Sequence, residues 1–207
     1  MALTFDDGPW PDGTRQILDL LDASSFHATF FVWGEQAVAH RDLVREALAA
    51  GHSLQPHCWH HTSHHQMSPD EIRTDLDDIL ELLRELGADR PTLWRPPWGQ
   101  CKGSVTRELA ADRRLELAGW TIDSADYAGR PATAMFEQIV AQLEAASEAA
   151  ESPVLLMHDC PLETEQWNNR QNVNETVELL SMLIAEDRWS FGPLARGLEA
   201  HLDLATA

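Results

Sequence analysis

The 207-residue chain carries 34 acidic against 15 basic residues, a formal charge of −19 with histidines neutral. That balance argues against nucleic acid or an anionic membrane surface as partner, since both recruit a basic footprint. No apolar run approaches the ~20 residues of a membrane span, no signal-like start is visible, and three cysteines without CxxC spacing make a reducing cytoplasm the default expectation, with a secreted domain whose signal segment has been removed as the alternative.

In chain order, "ALTF" reads as a strand that stops at Asp6-Asp7-Gly8-Pro9, and Thr14 to Leu21 as an amphipathic helix. "ATFFVWG" (28–34) is a buried strand, 35–50 a helix ended by Gly51, and "HSL" a short strand before Pro56. Ser68-Pro69-Asp70-Glu71 is a capping box that opens a helix to Leu86, with Gly87 as its stop. "TLWR" follows as a strand, 104–111 as a helix, "LELAGWTID" as a turn and strand, and 133–150 as a long helix. "VLLMHD" (154–159), a helix over 174–185 and a short strand in "RWSFGPL" complete the chain. Strands separated by helices predict a parallel sheet. About seven such units in this length favour a small closed barrel, one domain over 1–207. No GxGxxG follows the first strand, so a dinucleotide fold lacks its fingerprint.

Polar residues gather just past the strand ends: Asp6 and Asp7, His57 and His61, Arg95, Asp123 and Asp126, His158 and Asp159. In a parallel α/β barrel those ends converge on one rim. "PHCWHHTSHH" (56–65) holds five of the ten histidines. His57 and His61 are four apart, so on one helical turn their rings share a face, and with one oxygen ligand they form an open catalytic zinc site. His64 and His65 read as solvated, as does the acidic helical face "DLDDILELL" (75–83).

Five motifs in order, "TFDDG" (4–8), "HCWHH" (57–61), "RPPWG" (95–99), "DSADY" (123–127) and "LMHD" (156–159), make the chain resemble the polysaccharide deacetylase family, the NodB-homology domain of carbohydrate esterase family 4. The resemblance implies a distorted (β/α)7 barrel and a divalent metal, Zn2+ or Co2+, held by Asp7, His57 and His61. It further implies Asp6 as catalytic base, Arg95 as its partner, His158 as general acid and Asp126 as the carboxylate supporting that acid. The Trp98 amide falls where the family stabilises the oxyanion, and Tyr127 and Leu156 where it lines the acetyl pocket. The implied partner is a carbohydrate or small N-acylated substrate, with no nucleic acid or membrane.

The chain departs from the pattern in places. Cys58 stands where a hydroxyl usually ties down the metal loop, His60 adds a competing imidazole, Trp98 replaces Tyr or Phe, and Tyr127 replaces Trp. Trp10, Trp98 and Trp167 are candidates to stack on a sugar, and 160–172 to wall the site; the other tryptophans read as packing. Three functions compete: N-deacetylation of amino sugars, hydrolysis of an imide or formamide of a small metabolite, and a metal- or sugar-binding module without turnover. The presence of both Asp6 and His158 favours an enzyme.

Overall fold

The computed structural model describes residues 1–88, 90–161 and 173–197. Residues 162–172, with Trp167, lie outside the described residues. Strands β1 (Ala2–Asp6), β2 (Thr29–Trp33), β3 (Ser53–Cys58), β4 (Leu93–Trp94), β5 (Glu116–Leu117), β6 (Ile122–Asp123) and β7 (Val154–His158) alternate with helices α1 (Pro11–Ser24), α2 (Gly34–Ala39), α3 (Arg41–Ala49), α4 (Pro69–Leu86), α5 (Gly103–Asp112), α6 (Ala132–Glu148) and α7 (Val173–Ala185). All pairings are parallel, in a five-stranded sheet ordered β3-β2-β1-β7-β6 and a separate β4-β5 pair. The architecture is the distorted α/β barrel expected. β1 lies at the centre with every residue buried, and its register with β7 sets Asp6 level with His158. In a barrel the helices cover the outer face of the sheet and the inner face lines the interior, so strand residues are buried on both sides.

The distortion has a local cause. Ladders are missing between β3 and β4 and between β5 and β6, and side chains fill both gaps. Pro56 has no N–H to give, which a strand tolerates only on an unladdered edge. There the Gln55 side-chain oxygen accepts the amides of Thr92 at 2.8 Å and Leu93 at 2.9 Å, and the Pro56 carbonyl accepts that of Arg95 at 3.3 Å. On the other side the Arg95 guanidinium donates to the carbonyls of Ala118 at 3.2 Å and Gly119 at 2.7 Å, groups a neighbouring strand would otherwise satisfy.

The capping box forms as predicted, with Ser68 Oγ accepting the Glu71 amide and Glu71 Oε2 accepting the Ser68 amide. Other expectations change. The helix over 35–50 is two helices, broken at His40 (φ −128°), whose ring packs edge-on against Trp10. The strand expected to stop before Pro56 runs on to Cys58. The terminal strand reduces to one bridge between Gly192 and Ala2, with Pro193 ending the pairing. All three cysteines are buried, and none forms a disulfide. Among the described residues, no helix is long and apolar enough to cross a membrane.

His52 sets one pH dependence remote from the sheet's C-terminal rim. Its ring is buried edge-on against Phe30, and Nδ1 accepts the Ala28 amide at 3.2 Å. Burial, and then the neighbouring His27, lower its pKa to about 4, against a weaker pull from Asp22. Between about pH 6.5 and 4 the unfolded chain therefore takes up a proton that the folded protein refuses, so stability falls as pH drops through that window. In His52→Asn the amide oxygen keeps the acceptor and removes the titration. Urea midpoints at pH 7 and 4.5 should show an acid loss smaller than the parent's by about 2–3 kcal/mol. Equal losses in both proteins would sink the assignment.

Candidate active site

The chain reverses its side-chain direction immediately after β1. Asp6 ends the strand, and Asp7 adopts a left-handed conformation (φ +76°) that is costly for a non-glycine residue. The two adjacent carboxylates consequently meet different partners. Asp6 accepts from Arg95 Nη1 at 2.7 Å, and the same nitrogen reaches Thr4 Oγ1 at 2.9 Å. Asp7 Oδ1 stands 3.2 Å from His57 Nε2 and 3.1 Å from His61 Nε2. Gly8 completes the turn because a Cβ there would lie 2.1 Å from the Asp159 carboxylate. Asp159 is itself buried against α1, where Thr14 Oγ1 donates to it at 2.5 Å. Burial above all, with the charges of Asp7 and Asp6 added, pushes its carboxyl up to about 7.

The triad suits a metal by its donor chemistry. Its ligand atoms lie within 4.8 Å of one another. The Asp7 separations of 3.1–3.2 Å approach the edge of about 3.3 Å that a zinc tetrahedron with ~2.0–2.1 Å bonds requires. His57 Nδ1 lies 2.7 Å from the Arg95 carbonyl, a contact that can only be a donation, so Nε2 is the free ligand nitrogen. His61 is held between the rings of Trp33 at 5.4 Å and Trp98 at 4.3 Å. His57 rides on β3 and His61 on the bend behind it, not on one helical turn as the spacing predicted; the sheet supplies the convergence.

His158 caps β7 on the opposite side of Asp6. Its Nδ1 lies 2.7 Å from Asp126 Oδ1, and its amide donates to Asp126 Oδ2 at 2.8 Å. Thr176 Oγ1 adds a third bond at 2.9 Å. Burial works against ionisation of Asp126, but the His158 charge and these bonds outweigh it and hold the carboxyl below its usual range. Tyr127 packs edge-on to the His158 ring at 5.8 Å and donates its hydroxyl to Asp123 at 3.2 Å.

These groups surround a cleft of about 150 Å³ lined by Asp6, Asp7, His57, His61, Trp98, Gly99, Trp120, Asp123, Tyr127, Leu156 and His158. Every site residue expected from the motifs is either on that lining or, for Arg95 and Asp126, directly behind it. Trp98 is 38% exposed with φ +54°, an aromatic face open to solvent beside the triad. Trp120, expected to be packing alone, lines the cleft with its ring 5.5 Å from the Arg95 guanidinium. Trp10 packs on His40 and is not on the lining.

Two corrections concern the histidine-rich loop. His64 is buried against Trp94 rather than solvated, and burial, followed by the charge of His57, lowers its pKa to about 4. His60, expected to compete for metal, instead pairs with Glu35 at the surface at 3.2 Å. The acidic face of α4 is not wholly solvated either. Asp75 is 6% exposed, and its two oxygens accept the amides of Trp59 and His60, each at 2.7 Å. The signal for it was legible: Asp75 falls on the same helical stripe as Ile72, Ile79, Leu82 and Leu86, where an acid is buried and must find donors.

Residues 1–118 match the family model described as Polysaccharide deacetylase. The chain is 31% identical over 159 residues to the peptidoglycan-N-acetylmuramic acid deacetylase PdaC of Bacillus subtilis, covering 77% of this chain and 32% of that protein. It is 32% identical over 190 residues to a chitooligosaccharide deacetylase of Bradyrhizobium, covering 88% and 81%. The solved structure of PdaC superposes with a TM-score of 0.75 at 28% identity, covering 96% of this chain and 88% of that one. The chain thus spans about a third of the full length of PdaC.

Proposed function

This chain belongs to the polysaccharide deacetylase family, and from that premise we propose that it hydrolyses the acetamide of N-acetylated amino sugars in a chitin- or peptidoglycan-like glycan, as one catalytic domain over 1–207. The observation that carries this reading is the divergence of Asp6 and Asp7, one bonded to a buried arginine and the other aimed at two imidazoles. Asp7, His57 and His61 would hold a divalent cation, in our reading zinc. When bound, such a cation lowers the pKa of a water and polarises the amide carbonyl.

The remaining work falls to the chain's own groups. Asp6, oriented by Arg95, takes the proton of the attacking water. The Trp98 main-chain amide, on the left-handed turn of 97–99, supports the negative charge that develops on the carbonyl oxygen. The departing amine is a poor leaving group and needs a proton, which His158 delivers while the ionised Asp126 supports the imidazolium. Leu156 and Tyr127 offer the acetyl methyl an apolar wall, and the exposed Trp98 ring offers a stacking face to the sugar.

The reading is tested with chitooligosaccharides, peptidoglycan fragments and small cyclic imides, followed by release of acetate or free amine. Acetate release from a glycan, abolished by chelator and restored by zinc, is the expected result. Turnover of imides alone would overturn the sugar substrate while leaving the hydrolytic centre. No turnover of any of them with zinc bound would favour a binding module.

A further inference from the structure

His61 occupies no regular element. His57 is fixed by β3, whereas the chain leaves the strand at Cys58 and reaches His61 through Trp59 and His60. Cys58 is a poor anchor for that stretch. Its thiol is a weak donor, is buried, and is pushed well above its ordinary pKa first by burial and then by Asp75 and Asp7. Something else must hold the bend, because Nε2 of His61 has to stay at 3.1 Å from Asp7. On α4, Asp75 holds it, accepting both successive amides at 2.7 Å. A buried carboxylate with two N–H donors makes short, charge-assisted bonds, stronger than a hydroxyl or thiol supplies.

Trp59 is gripped from the other side as well. Its carbonyl accepts the Glu35 amide at 3.4 Å, and a Cβ on Gly34 would lie 2.8 Å from its ring. The bend is therefore clamped between α2 and α4, with its polar contact to α4 running through one side chain.

We propose that Asp75 is a positioning residue for the cation triad, setting the placement of His61 through the Trp59 and His60 amides; this rests on the reading of Asp7, His57 and His61 as ligands. The amides it fixes belong to the two residues that immediately precede the ligand. Its removal should weaken cation binding beyond any general loss of stability.

The test compares the parent, Asp75→Asn, Asp75→Ala and a control, Asp77→Asn, whose site is half exposed on the same helix. Zinc affinity is measured on metal-free protein by chelator competition, and melting temperature is read with and without zinc chloride. Asp75→Asn, which keeps volume but turns a donor toward one amide, should bind zinc about 10- to 100-fold more weakly, and the zinc-induced rise in Tm should shrink accordingly. Asp77→Asn should leave zinc affinity unchanged. A lower metal-free Tm in Asp75→Asn with zinc affinity within twofold of the parent would overturn the proposal and leave a merely structural residue; the isosteric variant decides the matter if Asp75→Ala does not fold. A parent that bound no stoichiometric zinc would overturn the triad itself, an outcome separable from the first.

Discussion

Asp6→Asn should retain stoichiometric zinc and lose about three orders of magnitude in kcat. The substitution keeps the shape of the side chain and an oxygen facing Arg95 Nη1, now 2.7 Å from the carboxylate. It removes the negative charge, and with it the ability to take a proton. Asp7, whose contacts run to His57 and His61 and not to Arg95, is untouched. Loss of turnover with metal retained therefore separates the base from the ligand set, which adjacent residues would otherwise confound. Elemental analysis and acetate release on the same preparation make the comparison. A variant within tenfold of the parent rate would remove Asp6 from the proton-transfer role.

The largest stability effect is expected at Arg95. Its side chain is fully buried, stacks on the Phe31 ring at 4.1 Å, and serves Asp6, Thr4, Ala118 and Gly119 at once. Burial lowers its pKa first, and Asp6 opposes that; a guanidinium nonetheless stays charged at any working pH. Arg95→Met fills much of the volume but strands a buried carboxylate and two carbonyls. We expect a loss of about 3–5 kcal/mol from the broken pair alone, a large fraction of a typical domain's 5–15 kcal/mol. Adding Asp6→Asn to Arg95→Met should recover part of it, about 1–3 kcal/mol, because the unpaired charge is gone. Equal denaturation midpoints for the single and double variants would show that the ion pair contributes nothing and that the carbonyl bonds carry the whole effect.

The sequence already placed the candidate site at the strand ends, because parallel topology turns separated motifs into neighbours without any knowledge of side-chain packing. Asp6, Asp7, Arg95 and His158 were legible for that reason. What escaped depends on contacts between distant segments. His64 looked solvated in a histidine-rich run, yet Trp94, thirty residues on, covers it. The run of β3 through Pro56 is permitted by the Gln55 side chain, which bonds the amides of Thr92 and Leu93. Asp75 lay within reach, since an acid on an apolar helical stripe signals a buried partner. The helix over 35–50 kept its apolar period across His40, so periodicity alone had no means to mark the break.

The seam beside β5 has a consequence for how such a protein could lose its activity and survive. A hydrogen-bonded ladder is built from backbone, so almost any residue can occupy it. Here one wall of the barrel is fastened by a side chain that also serves the proposed base. Mutational drift after loss of the substrate would be free to erase Asp7 or His61, whose removal opens no gap between strands. Arg95 would be retained by selection for foldedness alone. An inactive descendant should thus be recognisable by an intact arginine beside a dismantled metal triad, and the survival of that arginine is no witness to catalysis.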